Sequence, residues 1–138
     1  MSDSFCVDRH RESFLELIDE YVDIVFCNES EVLSLFQKDK LASCQADLSS
    51  LCELVVVTLG SNGSLIINKN AIEVIKSISK GEIIDTTGAG DIYAGGFIHG
   101  LINNFPLKKC GEIASICAGQ IITQLGSRSN IDLKELIK

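Results

Sequence analysis

The chain has 138 residues, 46% hydrophobic and 22% charged with a single proline, the composition of one globular domain rather than of a disordered segment. Twelve basic against nineteen acidic side chains leave a net charge of −7, which speaks against nucleic acid or an anionic membrane as a partner. Any phosphate would have to be held by local backbone donors.

No apolar run approaches the roughly 18 residues of a bilayer span. The opening Met1 to Cys6 has neither the basic segment nor the apolar core of a secretion signal. Six cysteines (Cys6, Cys27, Cys44, Cys52, Cys110 and Cys117) are scattered without a C-x-x-C pair, and His10 and His99 stand far apart. That pattern reads as a reduced, cytoplasmic protein without a zinc site.

From Asp8 to Val22 the apolar residues Phe14, Leu15, Leu17, Ile18, Tyr21 and Val22 recur at helical spacing, with Asp8 as the expected N-cap. Asp23 to Cys27 reads as a short strand, followed by a helix from Asn28 to about Phe36. Residues Gln37 to Ser50 are mixed and suit a loop with a short helix. Leu54 to Leu59 lacks alternation, as a strand buried on both faces would. Gly60 to Gly63 breaks it, and Ser64 to Asn68 with Ala71 to Lys76 reads as a hairpin turning at Lys69-Asn70. A turn at Lys80-Gly81 leads to a brief strand over Glu82 to Ile84. Helices are expected over Ile92 to Ile102 and from Leu107 to Leu125, the second stopped by Gly126 as its C′ residue, and a last short one within Ile131 to Lys138. Strands alternating with helices give an α/β fold with a mainly parallel sheet.

In such a fold ligands bind where strands end, so Asn28 with Glu31, Thr58 with Gly60 and Gly63, and Gly88 to Asp91 become candidates along one edge. The sharpest segment is Asp85-Thr86-Thr87-Gly88-Ala89-Gly90-Asp91. Glycines at a helix start let backbone N–H groups converge on a phosphate, and the helix dipole adds about half a positive charge there. A carboxylate at the end of an anion cradle makes chemical sense if Asp91 removes a proton from an attacking hydroxyl. Its structural alternative is a helix-start carboxylate. Asn28-x-x-Glu31 is nearly a capping box, and its functional alternative puts Asn28 on nucleotide phosphate and Glu31 on magnesium-bound water. A P-loop is ruled out because no Lys-Ser or Lys-Thr follows the glycines; a dinucleotide fingerprint is ruled out because Tyr93 stands where it needs glycine.

Read in order, V-D-I-V-F-C-N-E-S-E, V-V-V-T-L-G-S-N-G and I-I-D-T-T-G-A-G-D-I-Y-A-G-G-F resemble the carboxyl-terminal portion of the ribokinase-like (PfkB) carbohydrate and nucleoside kinases. The start S-D-S-F-C-V-D-R-H-R looks most like their adenosine-kinase-like branch. The resemblance implies one partial kinase domain over residues 1–138, without the lid and amino-terminal half that carry most acceptor contacts. It implies Asp91 as general base, Gly88, Ala89 and Gly90 as the anion hole, Asn28, Thr58, Gly60 and Gly63 as nucleotide-binding residues, and Glu31 as a magnesium residue acting through water. The helix from Leu107 to Leu125 would help wall the adenine pocket. Implied cofactors are ATP and Mg2+, with a monovalent cation near Asp85 and Thr87 as in some relatives; the implied partners are a sugar or nucleoside acceptor and a missing amino-terminal half or a second copy. Two alternatives stand beside the kinase: an inactive nucleotide-binding or interaction module, and a remnant whose motifs are historical. With the other half absent, the strand near Asp23 to Cys27 is expected to sit at a bare sheet edge.

Overall fold

A computed structural model describes residues 3–79 and 81–136. The chain divides into two compact units, one of residues 1–59 and 65–73 and one of residues 60–64 and 74–138.

The first unit opens with α1 (Ser4–Arg9) and α2 (Arg11–Tyr21). They replace the single expected helix. Asp3 caps α1, its side chain accepting from the Phe5 N–H, while His10 stands at the N-cap of α2 without a side-chain bond, so Asp8 caps neither helix. Asp8 lies inside α1 and accepts instead from Gln37 Nε2 at 3.0 Å, while Arg11 Nε donates to the Leu35 carbonyl at 2.6 Å. These two tethers flank His10, whose backbone (φ −121°, ψ 28°) leaves the helical region and separates the helices. Strand β1 (Ile24–Asn28) passes directly into α3 (Glu29–Phe36); a 3-10 turn (Leu41–Cys44) and α4 (Gln45–Leu51) return the chain to β2 (Leu54–Thr58).

β1 and β2 are parallel and in register from Ile24 opposite Leu54 to Asn28 opposite Thr58. The sheet continues through β3 (Ser64–Asn68) to β4 (Ile72–Ile75) in the order β1-β2-β3-β4. The connections 59–63 and 69–71 are too short for a crossover, so these later strands run antiparallel and the sheet is mixed. Asn68 closes the hairpin, its Oδ1 accepting from the N–H groups of Asn70 and Ala71. β1 stands at the edge of the sheet. The unit's core gathers Val7, Ile18, Val25, Cys27, Val32, Leu35, Cys44, Leu48, Val55, Val57 and Ile67. Leu54 to Val57 are all buried, which is why β2 carries apolar residues on both faces.

In the second unit, the expected strand over Glu82 to Ile84 is not formed. Ile83 and Ile84 are exposed, and the N–H groups of Ile84 and Asp85 both go to the carbonyl of Ile122, so this segment follows the end of a helix and has no strand partner. Lys80 of the expected turn lies outside the described residues. Helix α5 (Ala89–Ile102) packs on α6 (Leu107–Ile121). Their contact is close because a Cβ on Gly96 would meet the Ala114 Cα at 3.0 Å, and one on Gly100 the Cys110 Cα at 2.9 Å. α6 ends at Ile121, before the expected Leu125, and Gly126 is not its C′ residue; that glycine has another task, described below. A 3-10 turn (Leu133–Leu136) stands in place of the last helix, whose final residues Ile137 and Lys138 lie outside the described residues.

No helix of the described residues is long and apolar enough to cross a membrane. All six cysteines are free; Cys27, Cys44, Cys110 and Cys117 are buried, and burial pushes the Cys27 thiol up to about 12.

Candidate functional site

Candidate residues fall into two local groups, one in each unit. In the first unit, Asn28 and Thr58 end the two parallel strands side by side. The capping box is complete: Asn28 Oδ1 accepts from the Glu31 N–H at 3.0 Å, and Glu31 Oε2 accepts from the Asn28 N–H at 2.9 Å. Ser30 Oγ adds a bond to the same Asn28 oxygen at 2.7 Å. Glu31 is 2% exposed, and its proximity adds to the burial that raises the Cys27 thiol. Thr58 Oγ1 donates to the Cys27 carbonyl at 3.3 Å, binding the strand ends together. Among the described residues no group of three or more His, Cys, Asp or Glu side chains is placed to hold a metal ion. That donor set still fits magnesium, which typically uses one or two carboxylates, waters and the substrate's own phosphates. Glu31 Oε1 makes no hydrogen bond and is free to meet such a water shell, since no buried side-chain N or O of the described residues lacks a partner.

In the second unit, Gly60 to Asn62 form a 3-10 turn and Gly63 follows with φ +91°. Gly63 is obligatory on two grounds: the positive φ, and the Ile75 carbonyl, which occupies the place a Cβ would take. The adjoining Ser64 is fully buried, and its Oγ lies 2.6 Å from the Tyr93 hydroxyl.

Gly88 is the N-cap of α5 with φ +77°, and no side chain caps that helix. The Ala89 N–H is used by the Thr86 carbonyl, and intrahelical bonding begins with Ile92 N–H to the Gly88 carbonyl. Between them, the N–H groups of Gly90 and Asp91 have no protein acceptor among the described residues. Gly90 and Asp91 are exposed, and a Cβ on Gly90 would meet nothing within 4 Å. Two unspent donors thus face open space at the positive end of a 14-residue helix, which is the geometry of an anion site. The Asp91 carboxylate sits in the same first turn.

The cradle is held from behind by the segment after α6. A Cβ on Gly88 would lie 2.5 Å from the Ser127 Cβ, so the two backbones meet there with no room to spare. Asp85 fastens the contact: Oδ1 accepts from the Thr87 N–H at 2.9 Å and Oδ2 from the Gly126 N–H at 2.9 Å. This is the use of Gly126, whose φ of +83° aims its N–H at a carboxylate 41 residues away. Hydrogen bonds from Thr87 and Gly126 hold the Asp85 carboxyl below the usual carboxylate range. Each Asp85 oxygen accepts one backbone N–H and keeps a further lone pair, so these bonds leave the carboxylate able to meet a cation beside Thr87.

A lowered pKa means that this fastening is present above the ordinary Asp value and is lost as pH falls through the lowered one. The protection of amides in residues 122–128, taken against the intrinsic exchange rate at each pH, should therefore fall in that acid window, and Asp85→Ala should show the lost protection already at neutral pH. Acid-insensitive protection in this segment would remove Asp85 from the role.

Motif reading missed Ser64, Tyr93, Gly126 and Ser127. Only Tyr93 carried a local signal, since a tyrosine in an apolar helix must find a partner for its hydroxyl when buried.

Comparison with known proteins bears on these groups. The pfkB family carbohydrate kinase model matches residues 2–134. The chain is 32% identical over 126 residues to a nucleoside kinase of Methanocaldococcus jannaschii, covering 88% of this chain and 39% of that protein. Among solved structures it is similar to a probable sugar kinase from Rhizobium etli CFN 42 (40% identity, TM-score 0.94), covering 97% of this chain and 41% of that one. It is similar also to adenosine kinase from Sinorhizobium meliloti (37% identity, TM-score 0.94, 98% of this chain and 42% of that one). The chain spans about two-fifths of the length of these relatives. Because the family model runs unbroken through both units, taking in the capped strand end, the glycine turn and the helix-start cradle, the chain belongs to the pfkB family of carbohydrate kinases.

Proposed function

We propose that residues 1–138 form the nucleotide-binding and catalytic-base portion of a ribokinase-like kinase that moves the γ-phosphoryl group of ATP to an alcohol of a sugar or nucleoside. One observation carries the reading: the unspent N–H donors of Gly90 and Asp91 open onto free space at the start of α5, next to a carboxylate. A cradle for structure alone would spend those donors on a capping side chain.

In this reading Gly88, Ala89 and Gly90 shape the anion hole that stabilises charge on the transferring phosphoryl group. Asp91 takes the proton from the acceptor hydroxyl as its oxygen attacks the γ-phosphorus and ADP leaves. Asn28, Thr58, Gly60 and Gly63 line the nucleotide, and Glu31 orders a water of the hydrated metal. Magnesium, when bound, neutralises phosphate charge. The likeness to adenosine kinase supports a nucleoside acceptor, and the likeness to sugar kinases keeps sugars in the class. Acceptor contacts would come from the remainder of the fold, in the same polypeptide or another. An ATP-consuming protein with six free thiols fits the cytoplasm.

Two measurements test this. Calorimetry of the chain with Mg·ATP should show saturable, one-to-one binding. Supplying the amino-terminal portion of a related kinase should then give ATP-dependent phosphorylation of a sugar or nucleoside. Binding without phosphorylation would leave a nucleotide-binding module; a folded chain with no binding would overturn the reading.

A further inference from the structure

Tyr93 stands two residues after the proposed base, on the first turn and a half of α5, and is 6% exposed. Ser64 follows the glycine turn directly and is 0% exposed. Their hydroxyls meet at 2.6 Å. No backbone hydrogen bond outside the regular elements joins residues 60–64 to 88–93 among the described residues, so this side-chain pair is the polar link between the turn and the helix start.

The link is strong for physical reasons. Both groups are out of water, where an O–H···O bond gains electrostatic strength and an unmade one costs the whole desolvation of the hydroxyl. Burial raises the Tyr93 pKa, with Ser64 opposing, so the phenol stays a neutral donor or acceptor. Both ends are also rigid. Gly63 is wedged against the Ile75 carbonyl immediately before Ser64, and Tyr93 sits on a helix packed against α6 through Gly96 and Gly100. A short bond between two rigid supports fixes distance, whereas a phenylalanine in the same place would fill the space without fixing it.

We infer that Tyr93 is a positioning residue: its bond to Ser64 sets the register between the glycine turn over residues 60–63 and the helix start that carries Gly90 and Asp91. The inference rests on the kinase reading for what register is needed, namely that one nucleotide must lie on both segments at once. The tie itself is a property of the chain and is measurable without nucleotide.

The test uses Tyr93→Phe, Ser64→Ala and the double variant, all of the full chain. Hydrogen exchange without nucleotide should accelerate together at the amides of 63–64 and of 92–93 in either single variant, by about tenfold, as expected for a buried hydroxyl left unpaired. In the double variant both hydroxyls are gone, so the melting temperature should return towards wild type. Mg·ATP affinity should stay down by about tenfold, because nothing sets the register. Affinity that recovers with the melting temperature would make the pair merely structural and overturn the inference. Acceleration confined to one of the two segments would overturn it as well. If the wild-type chain binds no Mg·ATP while both segments loosen together, the kinase reading fails and the mechanical tie stands.

Discussion

Gly90→Val is expected to leave the chain folded and to weaken Mg·ATP binding by at least about a hundredfold, a loss on the order of 3 kcal/mol in calorimetry. The expectation is sharp because the protein itself gives Gly90 no reason to be glycine. Its backbone is helical, and a Cβ there would meet nothing within 4 Å. Glycine inside a helix costs about 0.5–1 kcal/mol relative to alanine, so Gly90→Ala should make the fold slightly more stable while making binding worse. What sets Gly90 apart is that its open position lies beside the unspent N–H groups of Gly90 and Asp91, where a bound anion would need the space. Gly95 supplies the control on the same helix: it too has an open Cβ position, and Gly95→Ala should stabilise similarly and leave affinity alone. Gly88 is unsuitable for this test, because its positive φ and the Ser127 contact would confound binding with folding. Wild-type affinity in Gly90→Val would dismiss the cradle as a phosphate site.

The second large effect belongs to Asp91. With the kinase completed by an amino-terminal portion, Asp91→Asn should lower turnover by about 10²–10⁴-fold, the usual worth of a positioned general base. ATP binding should be unchanged or slightly tighter, since a negative charge leaves the neighbourhood of a bound anion. The competing structural role predicts the opposite balance. A carboxylate in the first turn of a helix contributes only about 0.3–1 kcal/mol of stability through the helix dipole, so a purely structural Asp91 would cost a few degrees of melting temperature and no turnover. Rates of the variant equal to wild type would end the base assignment.

Most elements of the fold could be read from local pattern. Leu54 to Thr58 is a strand because an unbroken apolar run suits burial on both faces. Asn28 caps α3 because its side chain and that of Glu31 each bond the other's backbone. The expectations that failed concerned residues whose partners are distant. Asp8 reads as a cap but lies inside α1 and bonds Gln37, 29 residues on; Glu82 to Ile84 had strand residues but no strand beside it. Gly126 carried the signature of a helix stop, and Leu125 extended the helical spacing, yet the chain leaves the helix after Ile121 and uses that glycine to reach Asp85. The candidate site divides in the same way. Its motif residues are consecutive and legible, whereas Ser127 behind Gly88 and Tyr93 beneath Ser64 lie 39 and 29 residues from their partners, distances over which periodicity carries no information.

The buried thiols have a practical consequence. Each unit encloses two of them, Cys27 and Cys44 in the first and Cys110 and Cys117 in the second. Thiol reagents attack the thiolate, so while a unit is closed its pair is chemically silent, and each modification records an opening event. A time course of alkylation followed by peptide mass spectrometry would therefore date the opening of the two units independently, in the unlabelled protein and in a single sample. The cysteines thereby serve as paired internal clocks, one for the strand-end unit and one for the cradle, and a nucleotide that steadies only one of them would slow only that clock.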